Sequence, residues 1–440
     1  MAPSDWCVKG VSMDDQTLFL VICGALVLFM TPGLAFFYGG LVRASSVVSM
    51  IMMSFGSIAL IGTIWVLFGY AISFGNAGVG NFVGIDGVLG IDLNQLGLNG
   101  LVSELTKENQ TPLAFAGFQG TFAIITVALI SGAIADRAKF GAWMVFAGIW
   151  ATIVYFPTAS WVFNFTLDDS GKIVDGGWLV KDVGLLDFAG GTVVEIASGA
   201  SALALAIVLG KRFGFTKGMH APHNVPLTLI GVGILWFGWF GFNAGSELAA
   251  DGVASLAFIN TFAAGVGGLL SWAIFERIKH GKPTAVGAGS GAVAGMVAIT
   301  PSCAFLSPIW ALVLGLFVGV ICAMAIEWKY LLNFDDSLDV VGIHLVGGIV
   351  GTLFIGLVGN VGNVNVGLLL TGDPSQLFKQ FIGVAVVGLF SFGASYLIAI
   401  AIEKTIGFRV HSAAELAGVD SVLHGQSAYG ESDPRWLWKD

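Results

Sequence analysis

The chain has 440 residues, of which 56% are hydrophobic and only 11% are charged, and its net charge is −9. A soluble globular domain carries about a quarter charged residues, so this composition excludes an ordinary soluble enzyme and indicates a surface that faces lipid. The negative balance gives no basis for a nucleic-acid partner.

The apolar runs predict an all-α integral membrane fold. A membrane-crossing helix needs about 20 mostly apolar residues, and the chain contains eleven such runs, which we expect to be eleven transmembrane helices. A different division around Pro301 and Pro308 would change the parity of this number. The predicted spans cover residues 15–38, 46–74, 113–133, 141–165, 187–210, 225–246, 254–275, 284–302, 305–327, 341–360 and 378–403.

The basic residues predict the orientation of these spans. If the N-terminus lies outside, the outside segments hold only five of the 19 Lys and Arg residues, namely Lys9, Lys107, Lys172, Lys181 and Lys379. An excess of basic residues on the cytoplasmic side is the usual bias. We therefore expect the N-terminus outside, the C-terminus inside and a multi-pass protein of the cell membrane.

The start of the chain and the cysteines give little information about targeting or about metal and disulfide chemistry. The first residues lack a basic region and a cleavage site, so the first apolar run is predicted to be an insertion signal and not a removable peptide. The four cysteines, Cys7, Cys23, Cys303 and Cys322, have neither metal-ligand spacing nor disulfide-framework spacing.

The spans divide the chain into a membrane domain, residues 1–403, and a polar cytoplasmic tail, residues 404–440. Transporters are often built from two inverted halves, and spans 1–5 and 6–10 fit this plan with span 11 added. Leu186–Glu195 (LDFAGGTVVE) opens span 5 and Leu338–His344 (LDVVGIH) leads into span 10. This repeat is weak, because the spacing differs between the two segments.

Two ionisable residues, Glu195 and His344, lie well inside predicted spans. An ionisable group at this depth is costly, so it usually faces a partner or a cavity. The two residues are therefore either a buried pair that locks two helices together or part of a functional site, and the membrane setting favours the second. Asp187 at the start of span 5 is predicted to cap the helix, and its charge would also act on a nearby binding site.

Aromatic residues cluster in two motifs, FQGTF with Phe118 and Phe122, and GWFGFNAGS with Trp239, Phe240 and Phe242. Most phenylalanines in a membrane protein only pack or face lipid. An aromatic ring beside a pore can instead attract a cation through its π-face.

A dry aromatic pore favours a particular class of substrate. Ser246, at the end of the second motif, offers a hydroxyl acceptor, but there is no ring of oxygen atoms to replace the hydration shell of a metal ion. Ammonium can shed its charge by losing a proton and cross as ammonia, which potassium cannot do. The pattern therefore favours a substrate that can shed its charge, such as ammonium.

The chain resembles the ammonium transporter (Amt/Mep/Rh) family over nearly its whole length, and most closely its bacterial Amt branch. The matching segments are 31–43 (TPGLAFFYGGLVR), 118–137 (FQGTFAIITVALISGAIADR), 186–199 (LDFAGGTVVEIASG), 238–246 (GWFGFNAGS), 299–303 (ITPSC), 339–352 (DVVGIHLVGGIVGT) and 418–430 (GVDSVLHGQSAYG). The resemblance implies an eleven-helix inverted-repeat fold, a homotrimer with one pore per subunit, and a tail that docks on neighbouring subunits. It implies transport of ammonium and methylammonium with no metal or other cofactor and no catalytic residue.

The resemblance also assigns site residues. Phe122 and Phe242 correspond to a stacked gate, and His344 corresponds to the second of two pore histidines. Positions that line the pore in the family correspond to Trp239 and Thr300. The predicted substrate-binding residues at the outer mouth are Ser246, Phe118, Phe163 and Asp187, with Asp187 acting through structure or field.

The chain departs from the family pattern at several positions. Glu195 stands where the family usually has the first pore histidine, as in certain fungal members. The family's vestibule tryptophan falls near Trp161–Phe163, and Phe163 is predicted to replace it. In the tail, Val419 and Gln426 stand where Leu and Glu are common.

These residues predict a relay. Ammonium would gather at Ser246 and the aromatic mouth, lose its proton near the gate and cross as ammonia, while Glu195 and His344 carry the proton and titrate as a unit. Three alternatives remain. The chain could be an ammonium sensor with a partner, for which the resemblance offers a PII-type regulator at the cytoplasmic face, or a neutral-gas channel of the Rhesus type. An intramembrane acid protease fits poorly, because only one carboxylate is deep.

Overall fold

The computed structural model describes residues 15–75, 81–103, 105, 111–168, 173–216 and 221–429. Within these residues, ten helices are long and apolar enough to cross a membrane, and one further apolar helix is shorter. In chain order they are α1 (Asp15–Leu41), α2 (Ala44–Ser73), α3 (Thr111–Ile134), α4 (Phe140–Phe163), α5 (Gly191–Leu209), α6 (Val225–Gly245), α7 (Gly252–His280), α8 (Ala285–Ile299), α9 (Pro308–Leu331), α10 (Val341–Val358) and α11 (Ser375–Thr405).

The all-helical membrane fold is thus confirmed, whereas eleven crossings stay a prediction. The predicted eighth span, 284–302, corresponds to the short helix α8, which has only 15 residues. Cys7 and several basic residues used for the orientation lie outside the described residues, namely Lys9, Lys107, Lys172, Lys217, Arg435 and Lys439.

Side-chain caps define where several helices begin. Asn224 accepts a hydrogen bond from the Leu227 N–H at the start of α6, and Asp251 accepts from two N–H groups at the start of α7. Thr284 accepts from the Gly287 N–H at the start of α8. Each cap satisfies N–H groups that have no partner inside the helix.

The loops contain short regular elements that the sequence analysis did not predict. Three antiparallel hairpins pair β1 (Phe82–Ile85) with β2 (Leu89–Asp92), β3 (Phe165–Leu167) with β4 (Ile173–Gly176), and β5 (Asn360–Val361) with β6 (Val364–Asn365). These strands are too short to give a clear alternating pattern in the sequence. Short helical turns cover Leu93–Leu98, Asn99–Ser103, Leu179–Val183, Leu368–Thr371, Ser412–Ala417 and Val419–Leu423.

The outer surface of the helices is apolar. Leu389 and Leu397 on α11 are 74% and 69% exposed, and Phe29, Phe55 and Phe237 are also exposed. Exposed side chains of this kind suit a hydrocarbon solvent and not water. The chain is accordingly a multi-pass membrane protein.

The two predicted halves meet through equivalent helices, because α1 packs against α6 and α5 packs against α10. Close approach of α5 and α10 depends on two glycines. A Cβ atom on Gly199 would lie 2.4 Å from the backbone nitrogen of Leu345, and one on Gly348 would lie 2.9 Å from Cβ of Glu195. Small residues at such crossings let membrane helices pack backbone to backbone.

The structure corrects how the sequence repeat is aligned. Asp187 precedes Glu195 by eight positions, and Asp336, not Asp339, precedes His344 by eight positions. Both aspartates bond to the N–H group five residues further on, since Asp187 accepts from Thr192 and Asp336 accepts from Val341. Glu195 and His344 then each lie four positions before one of the two close-contact glycines. Asp339 instead pairs with Lys329.

The helix ends near Asp336 form one face of the molecule, here called the tail face, and the opposite face is called the vestibule face. Arg212 makes a two-pronged ion pair with Asp335 at 2.9 Å and a second pair with Asp136 at 3.0 Å. Arg137 donates to the Asp335 carbonyl oxygen at 2.6 Å. These groups are buried, so the network fixes the loops that join α3 to α4, α5 to α6 and α9 to α10.

The described part of the tail packs on this same face. The Asp420 carboxylate accepts from the N–H groups of Val48 and Ser49 at 2.9 and 2.8 Å, near the start of α2. Glu415 accepts from Arg409 and from the Phe213 N–H. The tail is thus tied to the loops of the membrane domain.

Candidate functional site

A cavity of about 350 Å³ opens on the vestibule face and is here called the vestibule. Its wall comes from the ends of α3, α4 and α6 and from the segment before α5. Most of the wall is apolar. The polar residues that line it are Gln119, Asp187, Ser246 and Glu247.

Two phenylalanine rings in tilted contact lie between the vestibule and a deeper cavity. Phe122 lines the vestibule and Phe242 lines the deeper cavity, and their ring centroids are 4.2 Å apart. Both side chains are almost fully buried. The two positions predicted to form a gate therefore lie in contact between the two cavities.

The deeper cavity, here called the pore cavity, is lined mainly by aliphatic and aromatic side chains. Glu195 and His344 are its ionisable lining residues, and Trp239 lies on the wall beside Phe242. The other lining residues are Met30, Leu34, Phe37, Ile125, Leu129, Val194, Leu235 and Val293. A small neutral molecule fits this environment better than a hydrated ion.

Glu195 and His344 make direct contact at the pore cavity. Oε2 of Glu195 lies 2.6 Å from Nδ1 of His344, and the side chains are 1% and 3% exposed. Glu195 lies in the π-helical first turn of α5, and His344 lies in the π-helical first turn of α10. Such turns are uncommon and occur frequently at functional sites. A short bond between two buried titratable groups can hold or pass a proton.

Asp187 has the capping role that its position predicts. Its carboxylate accepts hydrogen bonds from the N–H groups of Gly190, Gly191 and Thr192 and from the Thr192 hydroxyl. Gln380 of α11 supports the same segment by bonding both the N–H and the carbonyl of Leu186. Asp187 therefore lines the vestibule, but its carboxylate oxygen atoms already accept hydrogen bonds from the backbone.

Two predicted site residues, Thr300 and Phe118, lie behind the residues that line the cavities and do not line them themselves. Thr300 is fully buried and is not among the residues that line the pore cavity, and its hydroxyl accepts a hydrogen bond from the Trp239 indole at 2.9 Å. Phe118 is 1% exposed, and its ring packs edge-on against Phe122 at 4.8 Å. Thr300 therefore orients Trp239, and Phe118 supports Phe122 from behind.

Phe163, and not Trp161, faces the vestibule. The Trp161 indole donates to the Val88 carbonyl oxygen at 2.5 Å, and its ring packs against Trp178 and Phe390. The vestibule is therefore lined by a phenyl ring at this position, which offers a weaker π-face to a cation than an indole.

Sequence reasoning missed two polar vestibule residues, Gln119 and Glu247. Gln119 lies inside the FQGTF motif, of which only the two phenylalanines were predicted to be site residues. Glu247 follows the GWFGFNAGS motif directly, one position beyond the predicted span 225–246. A carboxylate placed directly after a pore motif was the available signal.

The chain matches the model of the Ammonium Transporter Family over residues 18–429. It is 46% identical to an ammonium transporter of Mycobacterium tuberculosis, over 96% of this chain and 91% of that protein, and 41% identical to one of Bacillus subtilis, over 96% and 100%. Among solved structures, it is similar to one described as a sensor Amt protein (TM-score 0.83, 27% identity, 93% of this chain and 98% of that chain). It is also similar to Mep2 of Saccharomyces cerevisiae (TM-score 0.78, 31% identity, 92% and 93%). The chain therefore belongs to the ammonium transporter family.

Proposed function

We propose that the protein transports ammonium and methylammonium across the cell membrane, from the vestibule face to the tail face. The relatives named above are ammonium transporters, and the two cavities suit a substrate that enters as a cation and crosses as a neutral molecule. The positive-inside bias supports a vestibule that faces outward.

The cation is recruited at the vestibule. Its electronegative wall and the Phe122 ring attract a small cation. The Ser246 hydroxyl donates to the Phe242 carbonyl oxygen at 2.8 Å, so its oxygen lone pairs remain able to accept a hydrogen bond from ammonium. Deprotonation takes place at the Phe122–Phe242 gate, because a charged species does not enter the apolar cavity beyond it.

The observation that carries this proposal is the contact between Glu195 and His344 at a cavity otherwise lined by apolar groups. Ammonia crosses that cavity, while the pair passes the proton separately. Net charge then crosses the membrane with each ammonium ion, so transport is electrogenic.

The decisive experiment measures current on a solid-supported membrane. Purified protein in liposomes receives an ammonium pulse, beside the variant Glu195→Gln and a liposome control. We expect a current in the native protein that the variant loses while internal pH still reports ammonia entry. Native uptake without current would instead establish neutral ammonia conduction and remove the relay.

A second candidate function is ammonium sensing, which similarity to the sensor Amt protein favours. The tail contacts at Val48, Ser49 and Phe213 offer a route by which occupancy of the membrane domain reaches a partner. A folded protein with neither current nor uptake, whose tail becomes more protease-sensitive with ammonium, would support sensing over transport.

The assembly and regulation follow from the same proposal. We propose a homotrimer with one pore in each chain, embedded in the bilayer, with residues 404–440 as a regulatory tail. Exposed apolar side chains on the helices are available for lipid and for neighbouring chains. Light scattering in detergent tests the trimer, and pull-down with a PII-type protein tests that partner.

A further inference from the structure

The vestibule holds a carboxylate that the proposed mechanism does not use. Glu247 lies in the turn that follows α6, where its N–H donates to the Ala244 carbonyl oxygen at 3.2 Å. Its side chain is half-buried and lines the vestibule beside Ser246. Within the described part of the chain, this side chain makes no hydrogen bond or ion pair with another residue.

The described charged residues around Glu247 are all acidic. Asp187 is the other charged lining residue, and its oxygen atoms already accept four hydrogen bonds at the start of α5. Asp251 stands nearby at the start of α7, where it caps the helix. The described residues that line the vestibule include no Lys, Arg or His. Among the described lining residues there is thus no positive charge to pair with the Glu247 carboxylate, so a cation that enters the vestibule can do so.

The geometry points to Glu247 as a further specificity-determining residue for the proposed transport function. Its carboxylate, with the Ser246 hydroxyl and the Phe122 ring, holds ammonium or methylammonium before the gate. The negative charge strengthens a cation site whose aromatic wall has Phe163 in place of an indole. The substrate class is a small protonated amine with N–H groups to donate.

This role makes recruitment depend on external pH. Burial and the nearby Asp251 carboxylate raise the pKa of Glu247 to about 7. The carboxylate is therefore charged above about pH 7 and becomes neutral below it, while ammonium remains protonated on both sides of this value. Affinity for ammonium should fall as the pH at the vestibule falls from about 8 to about 6.

The test compares the native protein with Glu247→Gln, Glu247→Asp and Asp86→Asn. Asp86 is exposed in the turn between β1 and β2, so its substitution removes the same charge from the vestibule face outside the cavity. We expect Glu247→Gln to raise the ammonium concentration for half-maximal current about three- to fivefold at about pH 8, as for an opposite-charge contact at a half-exposed site. The variant should also lose the pH dependence.

The controls and a binding measurement separate the possible failures. Glu247→Asp should keep most of the affinity, and Asp86→Asn should match the native protein. Equal half-saturation and pH dependence in native protein and Glu247→Gln would overturn the inference. If the native protein gives neither current nor uptake, the transport proposal fails. The inference is then tested by the melting temperature of the purified protein in ammonium chloride and in choline chloride. A rise in ammonium chloride that is equal in the native protein and in Glu247→Gln overturns it.

Discussion

Glu195 and His344 reach a common hydrogen bond from opposite faces of the molecule. Glu195 lies one turn into α5, which begins at the vestibule face, and His344 lies one turn into α10, which begins at the tail face. Their contact at 2.6 Å joins the equivalent positions of the two predicted halves. Glu195 in one half therefore corresponds to His344 in the other, and the two equivalent positions are in direct contact.

This equivalence predicts the result of exchanging the two residues. His344→Glu alone places two carboxylates in contact in a buried site, where both cannot ionise, and we expect the ammonium current to fall at least tenfold. The double exchange Glu195→His with His344→Glu restores one acid and one imidazole, so the current should recover to a large part of the native value. A double variant as inactive as His344→Glu would show that the two positions are not equivalent.

The Phe122–Phe242 contact predicts the selectivity of the gate. Phe242→Ala removes the ring that separates the vestibule from the pore cavity, so water and hydrated cations gain entry. We expect a potassium current that the native protein lacks, measured with the same liposomes under a potassium gradient.

A matched control for the gate lies on the same helix. Phe240 stacks on Phe258 at 4.4 Å, and neither ring lines the vestibule or the pore cavity. Phe240→Ala should therefore leave ammonium selectivity unchanged. A potassium leak of equal size in both variants would point to general loosening of the bundle instead of an open gate.

The close contact of α5 and α10 at Gly199 predicts the effect of adding a methyl group there. The nearest atoms to an added Cβ belong to Leu345 and include its backbone nitrogen at 2.4 Å, so they cannot move aside as a flexible side chain can. We expect Gly199→Ala to destabilise the protein by about 1–3 kcal/mol, seen as a lower melting temperature in detergent. Gly233→Ala on α6 meets no atom within 4 Å and should not lower it. Equal melting temperatures for both variants would contradict the close packing.

Much of the fold and part of the site follow from the sequence alone. Long apolar runs determine the helices, and the depth of Glu195 and His344 in those runs marks them as unusual. The sequence alone could not show that Asp336 corresponds to Asp187 in the repeat. Asp339 lies in a local motif more similar to that of Asp187, and only the hydrogen bonds distinguish Asp336 from Asp339. Glu247 was missed because its surroundings come from α3, α4 and the segment before α5, which only the folded chain brings together.

Asp335 predicts the stability of the tail face and its dependence on pH. Burial alone would raise the pKa of Asp335, but the hydrogen bonds from Arg212 and the charge of Arg137 outweigh it and lower the pKa. A carboxyl group whose pKa is lower in the folded state contributes stability that is complete above its unfolded pKa, near 4, and is lost as the pH falls through the folded value. We expect the melting temperature of the native protein to drop between about pH 5 and about pH 3.

Asp335→Asn should remove this contribution at neutral pH. The substitution leaves Arg212 and Arg137 buried with less compensating charge, and breaking a buried pair in this way costs about 3–5 kcal/mol. The variant should melt at a lower temperature at pH 7 and show a smaller further loss on acidification. Asp175→Asn, which breaks the exposed pair with Lys181, should leave the melting temperature unchanged because such pairs contribute little. If Asp335→Asn melts like the native protein at pH 7, the network does not hold the three loops together.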